Sequence, residues 1–219
     1  RRDGEIVAVM SSNVDDLLYG ALPGCEQVFL KVLDTFKVRE MNSSPFRFCG
    51  KEIEQAEDFS ITVSAHFNTQ NIQPIEIGKQ RRMQDKCTPG EQTQLRSVVA
   101  SLAWIARQTR PALSYQVSKL QSVVNTSQIK DLRACNNLLE QAKATSKRGL
   151  HFPSTGLNWK DCVVCTVSDA SFQQEEDFVG GTVKKMEKGR SQQGHIICLA
   201  PADMMNRAEA TIHPITWSS

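Results

Sequence analysis

Apolar and polar positions alternate with a strand-like period near both ends of the chain and recur with a helical period in its middle. Ile6-Val7-Ala8-Val9-Met10 leads into the polar group Ser11-Ser12-Asn13-Val14-Asp15-Asp16, and Leu17-Leu18-Tyr19-Gly20 leads out. That order predicts a strand, a tight turn carrying two adjacent carboxylates, and a returning strand. Beyond the Pro23-Gly24 turn, Val28, Leu30, Val32, Leu33 and Phe36 fit an amphipathic helix over about 26–35. Residues 36–39, 46–53 and 59–63 read as strands, with a turn at 42–45 and a polar hairpin tip at 54–58. A glycine inside a strand, here Gly50, marks a bulge or a close backbone approach.

The middle third carries three helical stripes. Leu95, Val98, Val99, Leu102, Ile105 and Ala106 line one face of the first, which Thr88-Pro89-Gly90 introduces and Thr109 ends. Pro111 suits the first turn of the second, capped by Thr109 or Arg110, with Leu113, Val117, Leu120 and Val124 on one side. Ser127 can cap the third, whose apolar face is Ile129, Leu132, Cys135, Leu138, Leu139 and Ala142. Lys143, Lys147 and Arg148 complement the dipole at its end, and Gly149 is a natural stop. The stretch 64–89 is less regular, with a short helix or loop from His66 and an extended piece at 74–77. Past Pro153 and Gly156, strands return at 161–167, running into Ser168-Asp169-Ala170-Ser171, and again at 193–199 and 212–217. Between them lies a polar segment with Gly180-Gly181 and the run 184–188, whose glycines and lysines lack phosphate-loop spacing. The pattern stops unfinished at Ser219, which reads as a truncation.

Composition narrows the class. The 219 residues are 40% apolar, ordinary for a globular protein, and no apolar run approaches the roughly 20 residues of a membrane span. The basic, charged start does not read as a signal peptide. Seven irregularly spaced cysteines argue for reduced thiols inside a cell rather than a disulfide framework. Cys162 and Cys165, three apart on a strand, face opposite sides, so core packing is a better reading than zinc. Net charge is −5 over 1–78, +9 over 79–150 and −2 over 151–219. A basic block between acidic ones suits a polyanion-binding element, here Lys79, Arg81, Arg82, Arg107 and Arg110, although exposed helix faces carry such charge too. The adjacent carboxylates of Asp15 and Asp16 repel each other, and a cation relieves that repulsion. Their surroundings lack the Asp/Asn series of a calcium loop.

Five ordered motifs carry a resemblance. Asn13-Val14-Asp15-Asp16, Phe46-Arg47-Phe48-Cys49-Gly50, Arg107-Gln108-Thr109-Arg110-Pro111-Ala112-Leu113-Ser114-Tyr115, Ser168-Asp169-Ala170-Ser171 and Gln192-Gln193-Gly194-His195 with Ile215-Thr216-Trp217-Ser218-Ser219 follow one another as in the pol polyprotein of copia-type retrotransposons. Each motif alone is weak; the order, over nearly the whole chain, resembles that family. The resemblance implies an α+β chain: the C-terminal part of a reverse-transcriptase palm over 1–63, a basic helical thumb and connection over 64–150, and the opening of a truncated RNase H-like mixed sheet over 159–219. It implies that Asp15 and Asp16 are the metal-binding acids of the polymerase turn, Asp15 the direct ligand and Asp16 a turn stabiliser. Phe48, Cys49 and Gly50 then belong to a primer grip, and Asp169 is the first metal-binding acid of RNase H. The implied cofactor is Mg²⁺ or Mn²⁺. The implied partners are an RNA template, a DNA primer and their hybrid, with deoxynucleoside triphosphates for the full-length protein and no membrane. The implied compartment is the cytoplasm, in a virus-like particle, or the nucleus.

Departures from the family set further expectations. Asn13 stands where the family has an aromatic residue or His against the primer end. The third polymerase acid belongs to an earlier strand, and the RNase H helix Glu and later Asp would follow Ser219; Glu209 precedes that helix. Both sites are therefore expected to be incomplete and the isolated chain inactive. Two other readings stand beside this one: a non-catalytic nucleic-acid-binding remnant using 79–150, and an unrelated interaction module whose acids bind calcium or nothing.

Overall fold

A computed structural model describes residues 5–36, 38, 40–154, 157, 158, 160–171, 176–179, 182–185 and 192–219. The N-terminal alternation forms β1 (Ala8–Asn13) and β2 (Asp16–Ala21), an antiparallel pair whose register places Asn13 opposite Asp16. Only Val14 and Asp15 remain for the loop. Helix α1 (Gln27–Phe36) follows, buries Phe29 and Leu33, and brings the Phe29 ring to 4.6 Å from that of Tyr19. Phe36 closes this helix rather than opening the expected strand at 36–39, and its side chain is exposed rather than part of the buried face of Phe29 and Leu33. Lys37 and Arg39, like Gly156, Trp159, Gly180, Gly181 and the 186–188 part of the lysine run, lie outside the described residues.

The segment expected as one strand over 46–53 is two: β3 (Phe46–Phe48) and β4 (Lys51–Gln55), folded about Cys49-Gly50. Both loop residues have positive φ, 49° and 75°, as a two-residue hairpin turn with the twist of its strands requires. A further turn leads to β5 (Ile61–Ser64) and then to α2 (His66–Asn71).

The three helical stripes form as the sequence predicts. Helix α3 (Pro89–Gln108) is capped by Thr88, whose hydroxyl accepts from the Glu91 N–H while the Glu91 carboxylate accepts from the Thr88 N–H. A 3₁₀ turn at Pro111–Leu113 precedes α4 (Ser114–Val123). Helix α5 (Ile129–Ala144) starts one residue later than Ser127 would allow. Gln128 is the cap, reciprocally bonded with Asp131, and the buried Ser127 hydroxyl instead donates to the Val124 carbonyl. Every apolar stripe residue named above for these helices is buried, and together they make one core with Ala65, Ile75 and Cys87. Burying a Leu or Ile side chain contributes about 1.5–3 kcal/mol each, so this core dominates the stability of the chain.

Beyond α5, β6 (Leu150–Phe152) returns to pair with β5 and completes an antiparallel sheet of order β3-β4-β5-β6. The sheet straddles the boundary expected at 63/64: three strands come from before it and one from the far side of the helices. Gly149 permits this return. A Cβ there would stand 2.0 Å from the Val63 carbonyl oxygen, so its role is close approach to β5.

The last part holds β7 (Cys162–Ser171), a small hairpin of β8 (Glu176–Val179) with β9 (Thr182–Lys185), then β10 (Gln192–Pro201) and β11 (His213–Ser218). Strands β7, β10 and β11 form a sheet of order β11-β10-β7, with a register shift between Ile197 and Cys198. A mixed sheet was expected; every strand pairing among the described residues is antiparallel, with β10 running back along β7 after the β8–β9 hairpin and β11 back along β10. The Trp217 indole ties this sheet to α3 by donating to the Ala106 carbonyl at 2.7 Å. The chain is thus α+β, and no helix among the described residues is long and apolar enough to cross a membrane.

Candidate functional site

The acidic turn is built by register. With Asn13 opposite Asp16, Val14 and Asp15 make a two-residue loop, and Val14 takes φ 55°. That position in such a turn ordinarily belongs to Gly, and a β-branched residue held there costs about 1–3 kcal/mol. Val14 is also 97% exposed. The strain thus sits at the apex of the hairpin, beside Asp15 and Asp16, both exposed. Among the described residues no three His, Cys, Asp or Glu side chains gather as a metal site. Among the described residues the turn offers an ion its own two carboxylates. Such a donor set suits Mg²⁺, which is commonly held by one or two carboxylates together with substrate phosphates, and not Ca²⁺, which takes six to eight oxygens.

Asp169 lies on β7 opposite Gly194 of β10, and it is exposed. The facing position has no side chain to crowd it. Its Oδ1 accepts a hydrogen bond from the Ala170 N–H at 2.9 Å. One strand position away, His195 opposes Ser168, and its Nδ1 is 3.0 Å from the Ser218 hydroxyl. Asp169 belongs to a different sheet from Asp15 and Asp16, so the three predicted acids are not one cluster.

Phe48, Cys49 and Gly50 form the end of the β3–β4 hairpin, and that end is docked. The Asn68 amide donates to the Gly50 carbonyl at 2.9 Å, and a Cβ on Gly50 would press on the Trp104 ring at 3.3 Å. Lys51 donates to the Gln108 side chain at 3.0 Å. Arg47 lies 4.0 Å over the Phe67 ring. These contacts fix the hairpin on α2 and α3.

The five predicted basic residues divide between the two ends of α3, a helix of 20 residues and hence about 30 Å long. Lys79, Arg81 and Arg82 precede it. Arg81 is occupied internally: it donates to the Lys86 carbonyl at 2.6 Å and pairs with Glu91 at 3.1 Å. Lys79 and Arg82 are exposed. At the other end Arg107 is exposed, but Arg110 is only 9% exposed and donates to the Thr145 carbonyl and hydroxyl, both at 2.8 Å. Arg110 thus serves the end of α5 rather than a ligand. Burial, with help from the neighbouring Arg148 charge, lowers its pKa from the ordinary arginine value. The Arg110–Thr145 bond draws the ends of α3 and α5 together. Exposed Arg107 stands at the end of α3 and exposed Lys147 and Arg148 follow the end of α5, while half-buried Lys51 bonds to Gln108 of α3. Lys147 and Arg148 were legible only as partners of a helix dipole; nothing local in the sequence places the end of α5 beside that of α3.

An open groove of about 790 Å³ lies between α2, the 72–76 segment and α3. Asn68, Asn71, Gln94, Ser97, Ser101 and Trp104 line it, and no Lys or Arg does. Its lining is a poor match for phosphate. No family model, curated protein or solved structure matches this chain.

Proposed function

We propose that the chain is a piece of an RNA-directed DNA polymerase joined to the opening strands of an RNase H domain, of the copia-type retrotransposon kind, and that it is inactive alone. The observation that carries this reading is the two-residue turn that presents Asp15 at the apex of a hairpin with Asp16 beside it at the start of β2. The docked Cys49-Gly50 hairpin and the β11-β10-β7 meander bearing Asp169 support it. On this reading Asp15 and Asp16 hold the polymerase ion and Asp169 the nuclease ion. Bound Mg²⁺ would supply activation of the primer hydroxyl or of water and neutralisation of phosphate charge. The protein's part is to fix the carboxylates: the β1–β2 register holds Asp15 at the apex, and Gly194 leaves the space across from Asp169 open. An RNA template, a DNA primer and deoxynucleoside triphosphates are the partners, in the cytoplasm or nucleus. Primer extension on an RNA template with Mg²⁺ tests the proposal, using wild type and Asp15→Ala. Neither protein should extend the primer, and an Asp15-dependent product would overturn the claim of inactivity.

The basic end formed by Lys51, Arg107, Lys147 and Arg148 favours a second reading, binding of nucleic acid without catalysis. RNA–DNA hybrid affinity should then fall steeply with salt, with each neutralised phosphate contact adding about −0.9 to the log–log slope on a B-form duplex. Replacing Arg107, Lys147 and Arg148 by Gln should flatten that slope. Salt-independent binding would sink the idea.

A further inference from the structure

We propose that Cys165 and Cys198 are an oxidation site: a pair of thiols that a hydroperoxide converts into a disulfide across β7 and β10. The inference is independent of the polymerase reading. The two residues are direct register partners, so their side chains share one face of the sheet. Antiparallel partners have Cα atoms about 4.5–5.5 Å apart, within the range of about 4.4–6.8 Å that a disulfide spans. The Cys198 thiol donates to the Cys165 carbonyl oxygen at 3.7 Å, which holds its sulfur beside the Cys165 residue. No other cysteine faces a second one across a described strand pair.

The two thiols differ in access, and that sets the order of events. Cys165 is half-buried and Cys198 is buried. Burial raises the Cys198 pKa from its ordinary value and keeps that thiol protonated, so Cys165 meets the oxidant first. The Cys165 thiolate attacks one peroxide oxygen, the O–O bond breaks, and water or an alcohol leaves after taking up a proton. Cys165 is then a sulfenic acid. The Cys198 sulfur attacks it, the S–S bond forms, and the hydroxyl leaves as water with the Cys198 proton. Two thiols are oxidised by two electrons, and one peroxide is reduced. The link would join residues 33 apart and pin the β7–β10 register beside Asp169.

The test is to treat the reduced full chain with hydrogen peroxide and map its peptides without reduction. The intact mass should fall by two hydrogens, the peptides holding Cys165 and Cys198 should be joined, and dithiothreitol should separate them. Cys165→Ser and Cys198→Ala should each abolish the link, whereas Cys162→Ser should keep it. In Cys198→Ala a dimedone-type trap should label Cys165, a readout that remains if the variant is less stable. A link between other cysteines, a link only between chains, or conversion of wild-type Cys165 to sulfinic acid without any link would each overturn the proposal.

Discussion

In the helical block Leu95, Leu102, Ile129, Leu132 and Ala142 have lost all contact with water, whereas the tip of the β1–β2 hairpin consists of exposed Val14, Asp15 and Asp16. The block spends its sequence on packing. Its caps, its buried Arg110 and the return of β6 all serve to fix helices against one another. The hairpin tip contributes little burial and holds a valine in a conformation that suits glycine. Stability and candidate chemistry are thus separated along the chain, and substitutions should separate them as well.

The largest expected effect lies in the block. Leu132→Ala should cost about 3 kcal/mol, lowering the urea midpoint, because the site is fully enclosed and would keep a cavity. Gly149→Ala should cost about 2–3 kcal/mol by forcing β6 away from β5, which the loss of slowly exchanging amides in both strands would reveal. Arg110→Gln should cost about 2 kcal/mol, since the Thr145 carbonyl loses a charged donor, and thermal unfolding would report it.

A pH test probes the same core. Burial pushes the Cys135 thiol up to about 12 from its ordinary 9. The folded state therefore holds this proton more tightly than the unfolded chain. That stabilisation is complete below about pH 9 and is lost as pH rises towards about 12. At pH 10 the loss should be about 1.4 kcal/mol, measured as the difference between wild type and Cys135→Ala relative to pH 7. The smallest effect has the opposite sign. Val14→Gly should stabilise by about 1 kcal/mol through release of the positive-φ strain, with Asp15 and Asp16 unchanged. A destabilising result would show that the Val14 conformation costs nothing, and the contrast between the two regions would lose one of its supports.

Local signals explain what the sequence revealed. The stripes of α3, α4 and α5 needed only helical spacing, and each named position is buried. The acidic hairpin needed only an apolar run, a polar pair and a second run. By contrast, β6 has three residues and gains its identity from β5, far away in sequence, so no period announces it. The residue pattern alone hid the Cys49-Gly50 turn, because Cys at a positive-φ position is not a usual turn signal, and only the primer-grip resemblance implied a hairpin there. Arg81 and Arg110 looked like ligand-binding charge because their partners, the Lys86 and Thr145 carbonyls and Glu91, are set by tertiary packing. Of the candidate site, the acids and their hairpin were legible; the basic surface was not, since it is assembled from the ends of two helices.

The Trp217 indole has a kinetic consequence. At the end of α3 the Arg110 N–H turns back to the Ile105 carbonyl, which leaves the Ala106 carbonyl to accept from Trp217, 111 residues further on. A helix end is thus finished by the last strand of the chain. Contacts this distant in sequence form slowly, because the intervening chain must be ordered first. Refolding followed by tryptophan emission should therefore show the Trp217 signal maturing after helical circular dichroism, with the Trp217→Phe variant lacking that late phase.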